Sequence, residues 1–127
     1  MIGLVVVSHS ARLAEGVVDV AGEMAGDATV VAAGGTEDGR LGTSVDLIAA
    51  AIEEASEGTE GVVVLADLGS AVMNAEMAIE LAEVEAAFAD APLVEGAVNA
   101  AVSATGPKAT LDSIRESAEE ARGLSKT

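Results

Sequence analysis

The sequence predicts an α/β fold: a doubly wound, mainly parallel sheet of about four strands in the order 2-1-3-4, with helices on both faces. Three observations carry that prediction. Short, continuously apolar runs recur along the chain at 2–7, 28–33, 61–66 and, less clearly, 84–89. Runs without alternation suit strands covered on both faces, as parallel strands are. Segments of helical spacing lie between them, and strand–helix alternation implies right-handed crossovers. The apolar half of the composition is mostly Ala and Val with a single Phe, so the core must be built from many small side chains, which favours helices lying close on a sheet.

Each element can be justified in turn. IGLVVV (2–7) is the first strand, and Leu13, Val17, Val20 and Met24 place one apolar face on the helix that follows. ATVVAA (28–33) is the second strand, and Val45, Ile48, Ala49 and Ile52 mark one face of the second helix. GVVVLA (61–66) leads to a third helix over 70–81 with two apolar stripes. One stripe, Val72, Ala75 and Ile79, suits the sheet, and the other, Met73, Met77 and Leu81, suits a partner subunit; the methionines read as packing rather than a cofactor box. VEAAFA (84–89) precedes helices expected at 93–104 and 107–122, broken at Gly106-Pro107 because Pro fits a first helical turn. No linker or internal repeat divides residues 1–127, which read as a single domain.

Composition narrows the partners. With 22 acidic residues against 6 Lys and Arg the net charge is -16, a surface that repels nucleic acid and anionic lipid. Self-repulsion on that scale is relieved where salt shortens the Debye length to about 3 Å at 1 M, so the acidity reads as adaptation to a salty cytoplasm, a halophilic trait. The absence of cysteine rules out thiolate chemistry and disulfides. No signal-peptide pattern and no membrane-length apolar run occurs, which points to a cytoplasmic protein.

In a doubly wound sheet, ligands meet the carboxyl ends of the strands near the switch in strand order. Three clusters fall there: Ser8-His9-Ser10 after the first strand, Gly34-Gly35-Thr36 after the second, and Asp67-Leu68-Gly69-Ser70 after the third. His9 is the only histidine. A lone histidine is often a surface or structural residue, but at this rim a second use opens. If Asp67 accepts a hydrogen bond from Nδ1–H, the Nε2 lone pair is left as an outward nucleophile. A hydrolase triad would draw on Ser8, Ser10 or Ser70, yet no G-x-S-x-G elbow is present and a serine beside the histidine reaches that ring poorly.

GGTEDGRLGTS (34–44) is a glycine-rich loop entering a helix. Its amides can approach an anion, and Thr43 or Ser44 can cap the helix; it is not a P-loop. Glu37 and Asp38 would repel a phosphate unless turned outward, and Arg40 can clamp a phosphoryl oxygen or close a salt bridge. Ser70 either holds phosphoryl oxygens or caps the third helix. One histidine cannot build a zinc site, and magnesium at carboxylates stays open.

VVVSHSARLAEGV, GGTEDGRLGTS, VVVLADLGSAVMNAEMA and PLVEGAVNAAVSA resemble, from Met1 to about Ala104, the phosphotransfer subunits of dihydroxyacetone kinase (DhaM), within the mannose-type IIA family of the phosphoenolpyruvate phosphotransferase system (PTS). The pairing of S-H-S with D-L-G-S-A-x-M-N-x-E carries most of that likeness. The resemblance implies a phosphotransferase component with a phosphohistidine intermediate on Nε2 of His9, Asp67 supporting the ring, and a homodimer. It also implies HPr as phosphoryl donor, ADP on the DhaL subunit as acceptor, and DhaK as the indirect beneficiary, in phosphoenolpyruvate-dependent glycerone phosphorylation and glycerol metabolism. Ser10, Gly34, Gly35, Thr36 and Ser70 are the expected phosphoryl-binding residues, with no tightly bound cofactor and no metal. Some relatives carry donor domains downstream; here the chain ends at Thr127, so the donor is expected in trans. A sugar-transporter IIA domain serving a IIB protein, or a noncatalytic module of this fold, are the other readings.

Overall fold

The computed structural model describes residues 1–127. Strand β1 (Gly3–Ser8), helix α1 (Ala11–Met24), β2 (Val30–Gly34), α2 (Val45–Ser56), β3 (Val62–Ala66), α3 (Gly69–Leu81), β4 (Ala86–Phe88), α4 (Leu93–Ala104) and α5 (Leu111–Glu120) follow in order, closed by a 3₁₀ turn at Ala121–Gly123. All strand pairings are parallel and the order is β2-β1-β3-β4, as expected. Alternation along β1 divides the core in two. Ile2, Leu4 and Val6 pack with Val63, Leu65 and the inner faces of α1, α4 and α5. Val5 and Val7 pack with Val62, Val64 and the inner faces of α2 and α3.

Small side chains decide how the helices sit. The buried face of α1 is Ala14, Val17 and Ala21, whereas Leu13, Val20 and Met24 are 44%, 48% and 63% exposed. The expected Leu13-Val17-Val20-Met24 face is therefore wrong apart from Val17. Alanines at 14 and 21 let α1 approach the sheet and the alanine face of α4, Ala97, Ala100 and Ala101, where Leu or Met would hold it off. On α3 the deepest residues are likewise Ala71, Ala75 and Ala78, with Val72 and Ile79 half-buried, while Met73, Met77 and Leu81 face outward as expected.

The C-terminal helix starts later than Pro107. Thr110 is its N-cap, accepting from the Ser113 N–H, and Ser113 returns a bond to the Thr110 N–H. That reciprocal box satisfies two orphan donors, so the helix nucleates there and Gly106–Ala109 stay in the connecting turn.

Candidate functional site

The site stands where the chain reverses the direction in which it adds strands. From β1 it crosses to β2 on one side and returns to β3 on the other, so the carboxyl ends of β1 and β3 open a crevice between them. Ser8 ends β1 and Ala66 ends β3, which sets His9 beside Asp67.

Asp67 is the hub. Its Oδ1 lies 3.0 Å from His9 Nδ1 and accepts the Leu68 N–H at 2.7 Å; its Oδ2 accepts the Ser8 hydroxyl at 2.8 Å and the His9 backbone N–H at 3.1 Å. Burial pushes this carboxyl upward, but the bonds from Ser8, the His9 backbone and ring, and Leu68 outweigh it, so its pKa lies below the usual 3.8. An ionised Asp67 can only accept, which fixes the ring proton on Nδ1 and leaves the lone pair on Nε2. Ser70 Oγ lies 2.8 Å from that Nε2 and donates its proton to it. The ring is about a third exposed.

Ser70 is not a helix cap. The N-cap of α3 is Leu68, without a side-chain bond, and Ser70 is the second helical residue. The N–H groups of Gly69 and Ser70 are bonded to no acceptor in the protein, so the first turn of α3 offers free donors next to Nε2. The residues expected from the sequence do not include the Gly69 amide. Its signal is positional: in D-L-G-S the residues after the strand-end acid start the helix, so their amides fall in a first turn that has no intrahelical acceptor for them. Ser8, expected only as a triad member, is fully buried, donates to Asp67 and accepts the Ser10 N–H at 3.0 Å.

The second loop behaves differently from the expected amide cradle. The Gly35 N–H donates to the Ser8 carbonyl at 3.1 Å and the Thr36 N–H to the Arg40 carbonyl at 2.9 Å, so both are spent inside the chain. Gly34 is a packing residue: a Cβ there would lie 2.6 Å from the Ser10 carbonyl oxygen and 2.7 Å from Ala11 Cα. Gly35 has φ of 78°, which turns the loop back over α1. Thr36 donates its hydroxyl to Asp38. Ser10 caps α1, its oxygen accepting from Leu13 at 3.2 Å, so its amide and its oxygen are both in use. Ser44, not Thr43, caps α2, and Thr43 instead accepts the Asn74 side chain, which ties α3 to this loop. Arg40 pairs with Asp38 at 3.1 Å and Glu37 accepts from Ser44.

The widest cavity, about 470 Å³, lies elsewhere, between α4 and α5 beside Ser103, Lys108 and Ser117. The end of α4 abuts the start of β1 through the Ile2 N–H to Ala104 carbonyl bond, at the amino end of the strands and so at the opposite end of β1 from His9. No group of three or more His, Asp or Glu side chains is arranged to hold a metal ion, and no helix is long and apolar enough to cross a membrane.

The family model of EIIA-man, the fructose IIA component of the PTS system, matches residues 3–115. The chain belongs to that family. It is 47% identical over 95 residues to phosphoryl donor subunit DhaM of the phosphoenolpyruvate-dependent dihydroxyacetone kinase 1 of Listeria innocua, covering 75% of each chain. To phosphotransferase subunit DhaM of the PTS-dependent dihydroxyacetone kinase of Lactococcus lactis it is 36% identical, covering 93% and 94%. It spans only 24% of the longer DhaM of Escherichia coli, at 40% identity. Among solved structures, EF1359, a protein of unknown function, superposes with a TM-score of 0.83 at 32% identity over 99% of this chain and 98% of its own. His9, Asp67 and Ser70 all lie within the residues that the family model matches.

Proposed function

We propose that this EIIA-man domain is a phosphocarrier that accepts a phosphoryl group on His9 Nε2 from phospho-HPr and passes it to ADP held by the DhaL subunit of a dihydroxyacetone kinase, so serving DhaK indirectly. The observation that carries the reading is the pair of bonds on the ring: Asp67 on Nδ1 and only a movable hydroxyl on Nε2. The names of the relatives supply the acceptor system.

In the charging step the Nε2 lone pair attacks phosphorus in line, the donor's N–P bond breaks, and its electron pair returns to the donor ring. Ser70 rotates its O–H from Nε2 to a phosphoryl oxygen, and the Gly69 and Ser70 amides hold the other oxygens. Asp67 steadies the ring as it gains positive character. Discharge reverses the sequence toward an ADP oxygen. The chemistry needs positioning and donors, and in this reading the protein keeps no cofactor or metal beyond the transient phosphoryl group.

The same reading makes the protein cytoplasmic and salt-adapted, with the Met73, Met77 and Leu81 stripe covered by a second copy in a homodimer. The decisive experiment is incubation with phosphoenolpyruvate, enzyme I and HPr. An acid-labile phosphate should appear on His9, vanish in His9→Ala, and leave as ATP on adding ADP-loaded DhaL. No label on the wild type, or label on another residue, overturns the proposal. Sedimentation of Met77→Glu, expected to be monomeric, tests the dimer.

A further inference from the structure

A chain with 22 carboxylates has few cations to place, and their distribution is uneven. Lys108, Arg115, Arg122 and Lys126 belong to the last twenty residues, and three of them pair with Asp112, Asp90 and Glu95. The other two, Arg12 and Arg40, converge on the catalytic rim. Arg12 is in the first turn of α1, three residues after His9, and Arg40 is in the loop whose Gly42 N–H holds the His9 carbonyl at 2.8 Å. Together with Ser10, Ala11, Gly39 and Leu41 they line an open notch of about 420 Å³.

Arg12 has no carboxylate within ion-pair distance, the one arginine of the chain in that state. Arg40 holds Asp38 at 3.1 Å, but both side chains are more than half exposed and such a pair is worth little, so it is exchangeable. Of the acids nearby in sequence, Asp38 holds Arg40, Glu37 is turned to Ser44, and Glu15 lies beyond Arg12 on α1 beside the separate groove along β2.

A phosphorylated His9 adds negative charge to a surface already at -16, and a second phosphate-bearing group meets repulsion unless cations lie where it lands. Guanidinium forks match phosphate oxygens two at a time. We propose that the Arg12–Arg40 notch seats the diphosphate of the nucleotide that the acceptor presents to phosphorylated His9. This rests on the phosphocarrier reading above. The donor brings one phosphoryl group, which ends on Nε2, and has no second phosphate for the notch; the notch therefore serves discharge and not charging. During discharge a terminal diphosphate oxygen attacks the phosphorus on Nε2 and the N–P bond breaks. The electron pair returns to Nε2, while Arg12, together with Arg40 once that residue has left Asp38, holds the non-reacting oxygens.

The test has a binding arm and a transfer arm. Inorganic pyrophosphate is titrated into ¹⁵N-labelled protein at the lowest salt that keeps the fold, and the Arg12 and Arg40 Nε–H signals should shift. Arg12→Gln should weaken that binding roughly 10-fold, and Asp38→Asn, which frees Arg40, should strengthen it about 3-fold. In the transfer arm, Arg12→Gln should charge from phospho-HPr within about 2-fold of wild type and discharge to ADP-loaded DhaL roughly 10- to 100-fold more slowly. Unmoved arginine signals, or charging and discharge slowed alike, overturn the notch. Pyrophosphate binding through both arginines in a wild type that never charges supports the anion site and removes the phosphocarrier reading alone.

Discussion

The β3–α3 turn and the β2–α2 loop both leave parallel strands at the rim where His9 stands, and each carries glycine, hydroxyls and acid. The turn is short: Asp67 is saturated with donors, and Gly69 and Ser70 keep their amides free beside the ring. The loop closes on itself, with Gly35 bonded to Ser8, Thr36 to Arg40 and Asp38, and Ser44 to Leu47 and Glu37. Glycine content does not separate the two. The count of donors left over after local structure is satisfied does, because only an unspent N–H or O–H can stabilise an incoming anion.

The sharpest way to break that contrast is Asp67→Asn. An amide cannot accept from four donors, so the tautomer and the ring position are both lost, and charging by phospho-HPr should fall by roughly 10²- to 10⁴-fold in a stopped-flow or labelling assay. Ser70→Ala removes one donor and should slow transfer by about 10²-fold with the fold intact, whereas Thr36→Ala in the loop should change it less than about 3-fold. Equal effects at 70 and 36 would show that the loop does hold the phosphoryl group.

Gly34→Ala should cost stability rather than chemistry. Its Cβ meets backbone of Ser10 and Ala11, so unfolding in urea should report a loss of about 1–3 kcal/mol. Ser10→Ala removes a cap and should cost about 1 kcal/mol, with transfer per folded molecule unchanged. A smaller effect concerns acid. Because the Asp67 carboxyl is held below 3.8 when folded, it contributes stability that is complete above the ordinary value and is lost as pH falls through the depressed one. Asp67→Asn should flatten the acid limb of the melting-temperature profile in that window, and a limb unchanged by the substitution would place the acid sensitivity elsewhere.

The sheet and its rim are legible in the residues, whereas the contrast between the turn and the loop is not. Valine runs specify parallel strands, and the strand-end positions bring His9 and Asp67 to one rim; their contact is given by the structure. What escaped has physical causes. On α1 the large side chains Leu13, Val20 and Met24 dominate the sequence pattern, whereas a tightly packed helix turns small residues inward, here Ala14 and Ala21. The amides at 35 and 36 read as free for a ligand, because sequence does not reveal that the Ser8 and Arg40 carbonyls claim them first. Pro107 reads as the first turn of α5, while the Thr110–Ser113 exchange fixes the start of the helix at Leu111.

The contact between His9 and Asp67 joins residues 58 positions apart and exists only through the pairing of β1 with β3, in which Val7 lies opposite Ala66. Slipping β3 by a single residue would turn the carboxylate to the other side of the sheet while leaving a valine-rich strand almost as well buried. A misthreaded chain could thus be compact and wholly inert. Recovery of phosphorylation during refolding would therefore clock the moment of correct strand threading, a slow non-local event in an all-parallel topology, more faithfully than recovery of helical signal.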